Sequence, residues 1–155
     1  MQAAPVLNPL REGLTEERVP EPCVMVIFGA SGDLTRRKLI PALYNLSVEG
    51  LLPPGFSVVG FARRPHSSDE FREQMREAVS SFSRRPLEPG VWDTIAQGIF
   101  YLSADFHDPD GYRRLGEQLE ALDRERGTRG NRIYYLATPP DMYELIVERL
   151  GQAGL

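Results

Sequence analysis

The sequence predicts an α/β domain built on a doubly wound parallel sheet, and three observations carry that prediction. Short apolar runs recur four times, at residues 23–28, 56–61, 99–103 and 133–137. Each is followed by a segment with the three-and-four apolar spacing of an amphipathic helix. The first run is separated from its helix by a glycine turn, Gly29-Ala30-Ser31-Gly32. Strictly alternating strands and helices pair in parallel, with helices covering both faces of the sheet. The continuous apolar runs suit strands buried on both sides.

In chain order, residues 1–22 mix Pro5, Pro9, Pro20 and Pro22 with charged groups and read as an arm outside the core. Residues 23–28 are the first strand. Residues 33–46 follow as a helix with Leu39, Leu43 and Leu46 on its inward face and a kink expected at Pro41. The turn Pro53-Pro54-Gly55 introduces the second strand. Ser67 with Glu70 three residues on is a capping box, opening a helix with the stripe Phe71, Met75, Val79 and Phe82. Residues 84–90 break it, and 91–97 form a short connecting helix before the third strand. Asp108 followed by Pro109 is an N-cap with proline at the first helical position. That helix buries Tyr112, Leu115, Leu119 and Leu122 and ends at Gly127 and Gly130. The fourth strand precedes a last helix over 141–150, capped by Asp141, with Met142, Leu145, Ile146 and Leu150 inward.

Composition narrows the function. The 155 residues are 41% hydrophobic and 26% charged, enough for one domain with a real core. A net charge of −4 opposes non-specific nucleic-acid binding. The single cysteine, Cys23, cannot form an internal disulfide and reads as a buried thiol in a reducing compartment. No apolar run is long enough to cross a bilayer, and no basic, then apolar stretch opens the chain as a secretory signal would. The expected location is the cytoplasm, with no membrane partner.

The chemistry concentrates at the strand ends. Gly29-Ala30-Ser31-Gly32-Asp33-Leu34-Thr35 follows a buried strand and opens a helix, the context of a dinucleotide-binding turn, although its spacing departs from G-x-G-x-x-G. Gly29 permits the tight turn, and Gly32 removes the Cβ that would block a pyrophosphate. The N–H groups from Ser31 to Thr35 then face phosphates at a helix N-terminus, with the Ser31 and Thr35 hydroxyls as further donors. No Gly-Lys-Ser/Thr triplet closes the loop as in a nucleotide triphosphatase. At the end of the second strand an NAD-binding domain places Asp or Glu. This chain has Arg63 and Arg64, set farther along by the long 46–55 connection, and a guanidinium there suits the 2′-phosphate of NADP. Arg36, Arg37 and Lys38 lie so near a helix N-terminus that they imply an anion nearby. Asp105 and Phe106 are placed to line an adenine pocket. Asp105, His107 and Asp108 lie close together, but Asp108 is assigned as a cap and no metal site is read there. Residues 138–143 face Gly29 across the crevice, and by spacing alone Tyr143 is equally a core aromatic or a cofactor contact.

These residues together resemble a family. Gly29-Ala30-Ser31-Gly32-Asp33-Leu34 with Lys38, then Gly60-Phe61-Ala62-Arg63, then Tyr135-Leu136-Ala137-Thr138-Pro139-Pro140 are similar to the coenzyme domain of glucose-6-phosphate dehydrogenases. The resemblance runs over about residues 24–151. It implies a Rossmann-like fold over 23–155, with Gly29, Ala30, Ser31, Gly32, Asp33, Leu34, Thr35 and Arg36 on the NADP pyrophosphate. It further implies Arg63 on the 2′-phosphate, Tyr143 in the cofactor site and Lys38 near the phosphates. Thr138 stands where the family often has leucine, and Arg36 and Arg37 where many members have lysines. The activity implied is NADP-dependent oxidation of glucose 6-phosphate to its lactone, the first step of the oxidative pentose phosphate pathway, with a histidine base taking the C1 hydroxyl proton. The family's His-Tyr-Leu-Gly-Lys-Glu run is absent from this sequence, as is its second, antiparallel α+β domain with the homo-oligomer interface. The expectation is therefore an N-terminal, coenzyme-binding fragment without catalytic residues of its own. The rival is a non-catalytic Rossmann module that senses NADP.

Overall fold

The computed structural model describes residues 19–155. Of the arm expected at 1–22, residues 1–18 lie outside the described residues. Strands β1 (Val24–Phe28), β2 (Ser57–Ala62), β3 (Ile99–Ser103) and β4 (Arg132–Leu136) form one parallel sheet in the order β3-β2-β1-β4. The two inner strands are the most deeply buried. β2 is buried throughout, and β1 everywhere except at the half-buried Met25.

Helices α1 (Ile40–Val48), α2 (Ser68–Phe82) and α3 (Pro89–Ala96) cover one face. Their core joins Ile27 and Val58 of the sheet to Ile40, Tyr44, Phe71 and Trp92. Helices α4 (Pro109–Arg126) and α5 (Tyr143–Gln152) cover the other, over Val26, Phe28, Val59 and Phe61. Aromatic rings tie that face together, with Phe28 and Phe61 centroids 5.0 Å apart and Tyr112 5.3 Å from Phe61. Gly111 lets α4 sit this close, since a Cβ there would stand 2.6 Å from that of Ala104. The caps form as their residues dictate. Ser67 Oγ accepts from the Glu70 N–H while Glu70 accepts from the Ser67 N–H, and Asp108 accepts from the Asp110 N–H. Cys23 is buried, and burial pushes its thiol pKa up.

Four expectations need correction. The first helix is not a plain α-helix kinked at Pro41. Thr35–Leu39 form a π-helical turn, in which the Ile40 N–H donates to the Thr35 carbonyl five residues back. Proline crowds the carbonyl four residues before it, here that of Arg37, and widening the preceding turn relieves that crowding. Downstream, in regular α1, Ile40, Leu43 and Tyr44 are buried and Leu46 is exposed. Phe82 is likewise exposed at the end of α2, with the Arg37 guanidinium 5.1 Å from its ring centroid. Among the described residues β4 is at the edge of the sheet, and Ile133 and Tyr135, in register with Met25 and Ile27, are exposed on the face that α1 and α2 cover elsewhere. Last, Pro140 opens a short 3-10 turn (Pro140–Met142), so α5 begins at Tyr143 and Asp141 does not cap it.

The connection from α4 to β4 is held by one carboxylate. Asp123 accepts from Thr128 Oγ1 at 2.6 Å and the Gly130 N–H at 2.9 Å, and takes both Arg132 terminal nitrogens at 2.8 and 2.6 Å. The Arg132 bonds, foremost, hold its carboxyl well below the usual range. A folded pKa below the unfolded one stabilises the fold above the unfolded value, and that stabilisation is lost as pH falls through the folded value. Asp123→Ala is expected to cost about 1–3 kcal/mol near neutral pH, where breaking a charged, partly buried network leaves Arg132 unpaired. The deficit should shrink towards acid, below about pH 3. Thermal melts of both proteins across that range check it, and a deficit independent of pH would exclude the charged network as its source.

Candidate functional site

All four strands run in parallel, so all four end at one edge of the sheet. The chain crosses from β1 to β2 on one side and reaches β4 on the other, leaving a crevice beyond the carboxyl ends of β1 and β4, the position where open α/β sheets bind ligands. A groove of about 520 Å³ occupies it. Gly29, Ser31 and Gly32 form its floor, and Arg63 and Arg64 enter from β2. Asp105, Phe106 and His107 come from β3, and Thr138, Pro139 and Met142 from the loop after β4.

The floor shows what each glycine is for. Gly29 has φ +83°, and a Cβ there would lie 2.3 Å from the Ala137 carbonyl oxygen. Its N–H donates to the Phe61 carbonyl at 2.9 Å. Gly29 is therefore required by the fold. Gly32 is much less constrained, since a Cβ there meets only the Gly29 carbonyl oxygen, at a close 3.2 Å that a small shift relieves. The space it leaves open belongs to the groove, and a dinucleotide's pyrophosphate fits that cradle. The Gly32 N–H donates to the Gly29 carbonyl at 3.0 Å, so it is not free for a phosphate as the sequence suggested. The Asp33, Leu34 and Thr35 N–H groups, in the first helical turn, lack intrahelical acceptors.

The remaining expected residues are distributed unevenly. Ala30 is buried under the turn, and Asp33 and Leu34 are exposed at the helix start. Thr35 is fully buried, with its hydroxyl unpartnered among the described residues, so only its main chain is available at the helix terminus. Arg36 lines a second cavity of about 390 Å³ between the π turn and α2, and Ser31 and Arg64 border both cavities. Arg37 lies over Phe82, which accounts for that cation without an anion. Tyr143 is 43% exposed and stands outside the groove lining, where Met142 takes the wall position.

The β2 end is built with a fixed main chain and a free head. Tyr101 Oη donates to the Arg64 carbonyl at 2.7 Å and Ser103 Oγ to that of Arg63 at 3.3 Å. The Arg63 side chain is 85% exposed, with Nη1 3.7 Å from Asp105 Oδ2. Asp105 accepts from the His107 N–H at 2.8 Å and meets His107 Nδ1 at 2.9 Å. The His107 main-chain N–H, first of several causes, holds the Asp105 carboxyl below its usual range. The pairing of Arg63 with Asp105 escaped the sequence reading. Its signal was the placement of the two groups one and two residues past neighbouring strands, where Ala62 and Ser103 are in register.

A family model described as glucose-6-phosphate dehydrogenase, NAD binding domain, matches residues 26–155. The chain is 52% identical over 135 residues to glucose-6-phosphate 1-dehydrogenase of Chlamydia muridarum, covering 86% of this chain and 27% of that protein. It is 45% identical over 155 residues to glucose-6-phosphate 1-dehydrogenase 2 of Mycobacterium tuberculosis, covering 99% and 30%. Among solved structures, the glucose-6-phosphate 1-dehydrogenase of Mycobacterium avium superposes with TM-score 0.75 at 30% identity, over 86% of this chain and 27% of that one. A glucose-6-phosphate dehydrogenase in complex with its substrate glucose-6-phosphate gives 0.77 at 29% identity, over 90% and 29%. The chain thus spans under a third of the length of these relatives.

The two glycines should separate in experiment. Gly29→Ala forces an L-residue into a left-handed conformation and against a carbonyl, and should destabilise the fold by upwards of about 1–2 kcal/mol. Gly32→Val should leave circular dichroism unchanged and lower the melting temperature far less than Gly29→Ala does, while abolishing dinucleotide binding. Undiminished binding by a folded Gly32→Val protein would remove the cradle from the site.

Proposed function

The chain belongs to the glucose-6-phosphate dehydrogenase family, and from that premise we propose that residues 23–155 hold NADP for the oxidation of glucose 6-phosphate to its lactone. The observation that carries the choice of cofactor is Arg63, a guanidinium at the strand end where an NAD site keeps a carboxylate. In this reading the main chain of the 29–36 turn binds the pyrophosphate. Gly32 gives it room, the first helical turn faces it with free N–H groups, and Ser31 and Arg36 flank it. Arg63 takes the 2′-phosphate, and Tyr143, from the α5 start, is assigned to the site by the family resemblance. The bound nicotinamide supplies the hydride acceptor. What these residues contribute is to bind and orient it.

Glucose 6-phosphate as substrate, self-association through a further domain, the lack of a nucleic-acid partner and a cytoplasmic location complete the proposal. The relatives named above are dehydrogenases, so the NADP-sensing alternative is not favoured. Among the described residues no helix is long and apolar enough to cross a membrane.

Two outcomes follow. Arg63→Ala should weaken NADP binding by about 1.5–3 kcal/mol, the loss of a charge-assisted contact, and leave NAD binding nearly unchanged. Titration of both cofactors measures it, and equal NAD and NADP affinities in the parent would overturn the cofactor assignment. The second concerns turnover. A general base must reach the proton it removes, directly or through one water. Of the two histidines, His66 borders the second cavity, and His107 lines the groove at its β3 end, two strands away from β1. The 155-residue chain is therefore expected to form no NADPH from glucose 6-phosphate above background. Turnover that Gly32→Val abolishes would contradict this.

A further inference from the structure

We infer that Asp105 is a specificity-determining residue of the groove: its carboxylate competes with the 2′-phosphate of NADP for Arg63 and thereby narrows the gap between NADP and NAD. The inference rests on the coenzyme reading above and concerns how strongly that site discriminates.

The geometry sets up the competition. At 3.7 Å the Arg63–Asp105 contact is an ion pair without a hydrogen bond. The guanidinium is partly neutralised while its donors stay available. Asp105 is held from behind by the His107 N–H and ring nitrogen, so it keeps its place when Arg63 turns to another anion. A phosphate that takes Arg63 must therefore approach a fixed carboxylate. That carboxylate is 41% exposed, so water and salt screen the repulsion to a modest size.

The same carboxylate acts in the opposite sense on NAD. A ribose 2′-hydroxyl is uncharged and donates a hydrogen bond, and an acid at the groove rim is its usual acceptor. The β2 end lacks that acid, having Arg63 and Arg64 in its place, and Asp105 offers one from the neighbouring β3 end. One strand end thus favours the phosphorylated cofactor and the next favours the plain one.

The test is a two-by-two titration of NADP and NAD against the 155-residue chain, Asp105→Asn, Arg63→Ala and the double variant. Asparagine keeps an oxygen for the His107 N–H, so the loop stays folded. In Asp105→Asn, NADP affinity should rise about three- to five-fold, the upper range for an exposed ion pair, while NAD affinity stays level or falls. In the Arg63→Ala background the gain for NADP should shrink, because the competition for the guanidinium is gone and only the screened repulsion is left. A fall in NADP affinity in Asp105→Asn would overturn the inference, because Asp105 would then be positioning Arg63 for the phosphate. A gain of equal size with and without Arg63 would overturn it too, reducing Asp105 to a general negative charge. A parent that prefers NADP with a ratio unmoved by Asp105→Asn overturns the inference alone. A parent that binds neither cofactor overturns the coenzyme reading as well.

Discussion

Between Gly29 and the Ala137 carbonyl oxygen there is no room for a β-carbon, and the walls of the groove are placed by that closeness. β1 ends between its two neighbours, with the Gly29 N–H on the Phe61 carbonyl and the Ala137 N–H on the Phe28 carbonyl. The chain can leave this position only by turning through a left-handed residue into the first helix. The turn sets Gly32 and the helix N-terminus over the strand ends. The ladder bonds draw the loops after β2 and β4 alongside, carrying Arg63 on one flank and Thr138 on the other. The dinucleotide-binding character of the family is in this sense a property of how three strands finish together.

Behind that edge the two helical layers make the strand ends rigid. β2 is buried throughout, and the loop it leads into is tied to β3 through Tyr101 Oη and Ser103 Oγ, while Ser68 Oγ at the start of α2 accepts from the Tyr101 N–H. A capping helix, a strand and a loop therefore share one chain of bonds that ends at the Arg63 and Arg64 carbonyls. The main chain of Arg63 is fixed and its guanidinium is free. A charged head on a fixed base can meet a phosphate at small cost in ordering.

The interior strands, the capping box, the Asp108 cap and the α4 stripe were legible in the sequence, because each is decided by residues within a few positions of one another. The misplaced residues are those whose fate depends on something farther away. Leu46 keeps the α-helical spacing from Leu43 and is nevertheless exposed near the C-terminal end of α1. Phe82 satisfied the period of its helix and is instead covered in part by a guanidinium from another. Ile133 and Tyr135 are apolar like the interior strands, but no residue pattern within β4 says that it lies at the sheet edge. In the groove, Gly29 and Gly32 were found by their place after a buried strand. The different reasons for the two glycines needed the distance to Ala137. The Arg63–Asp105 pair joins residues 42 apart in sequence, and only the register of β2 with β3 brings them together.

That register also divides the work of the proposed site. The chain carries a net charge of −4, so attraction of a polyanionic cofactor must come from local groups. Arg37 is engaged with Phe82, and Thr35 offers no side chain to the groove. What remains for the pyrophosphate is chiefly main-chain N–H groups at a helix terminus, which are indifferent to side-chain identity apart from the room left by Gly32. Main-chain donors cannot tell NAD from NADP, because both present the same pyrophosphate to them. Discrimination must come from the ends of β2 and β3, where charged side chains of opposite sign face one another. In the proposed site, binding and selectivity therefore rest on separate parts of the sequence, and substitution at Arg63 or Asp105 would retune the second while the turn assigned to the first stays as the fold requires.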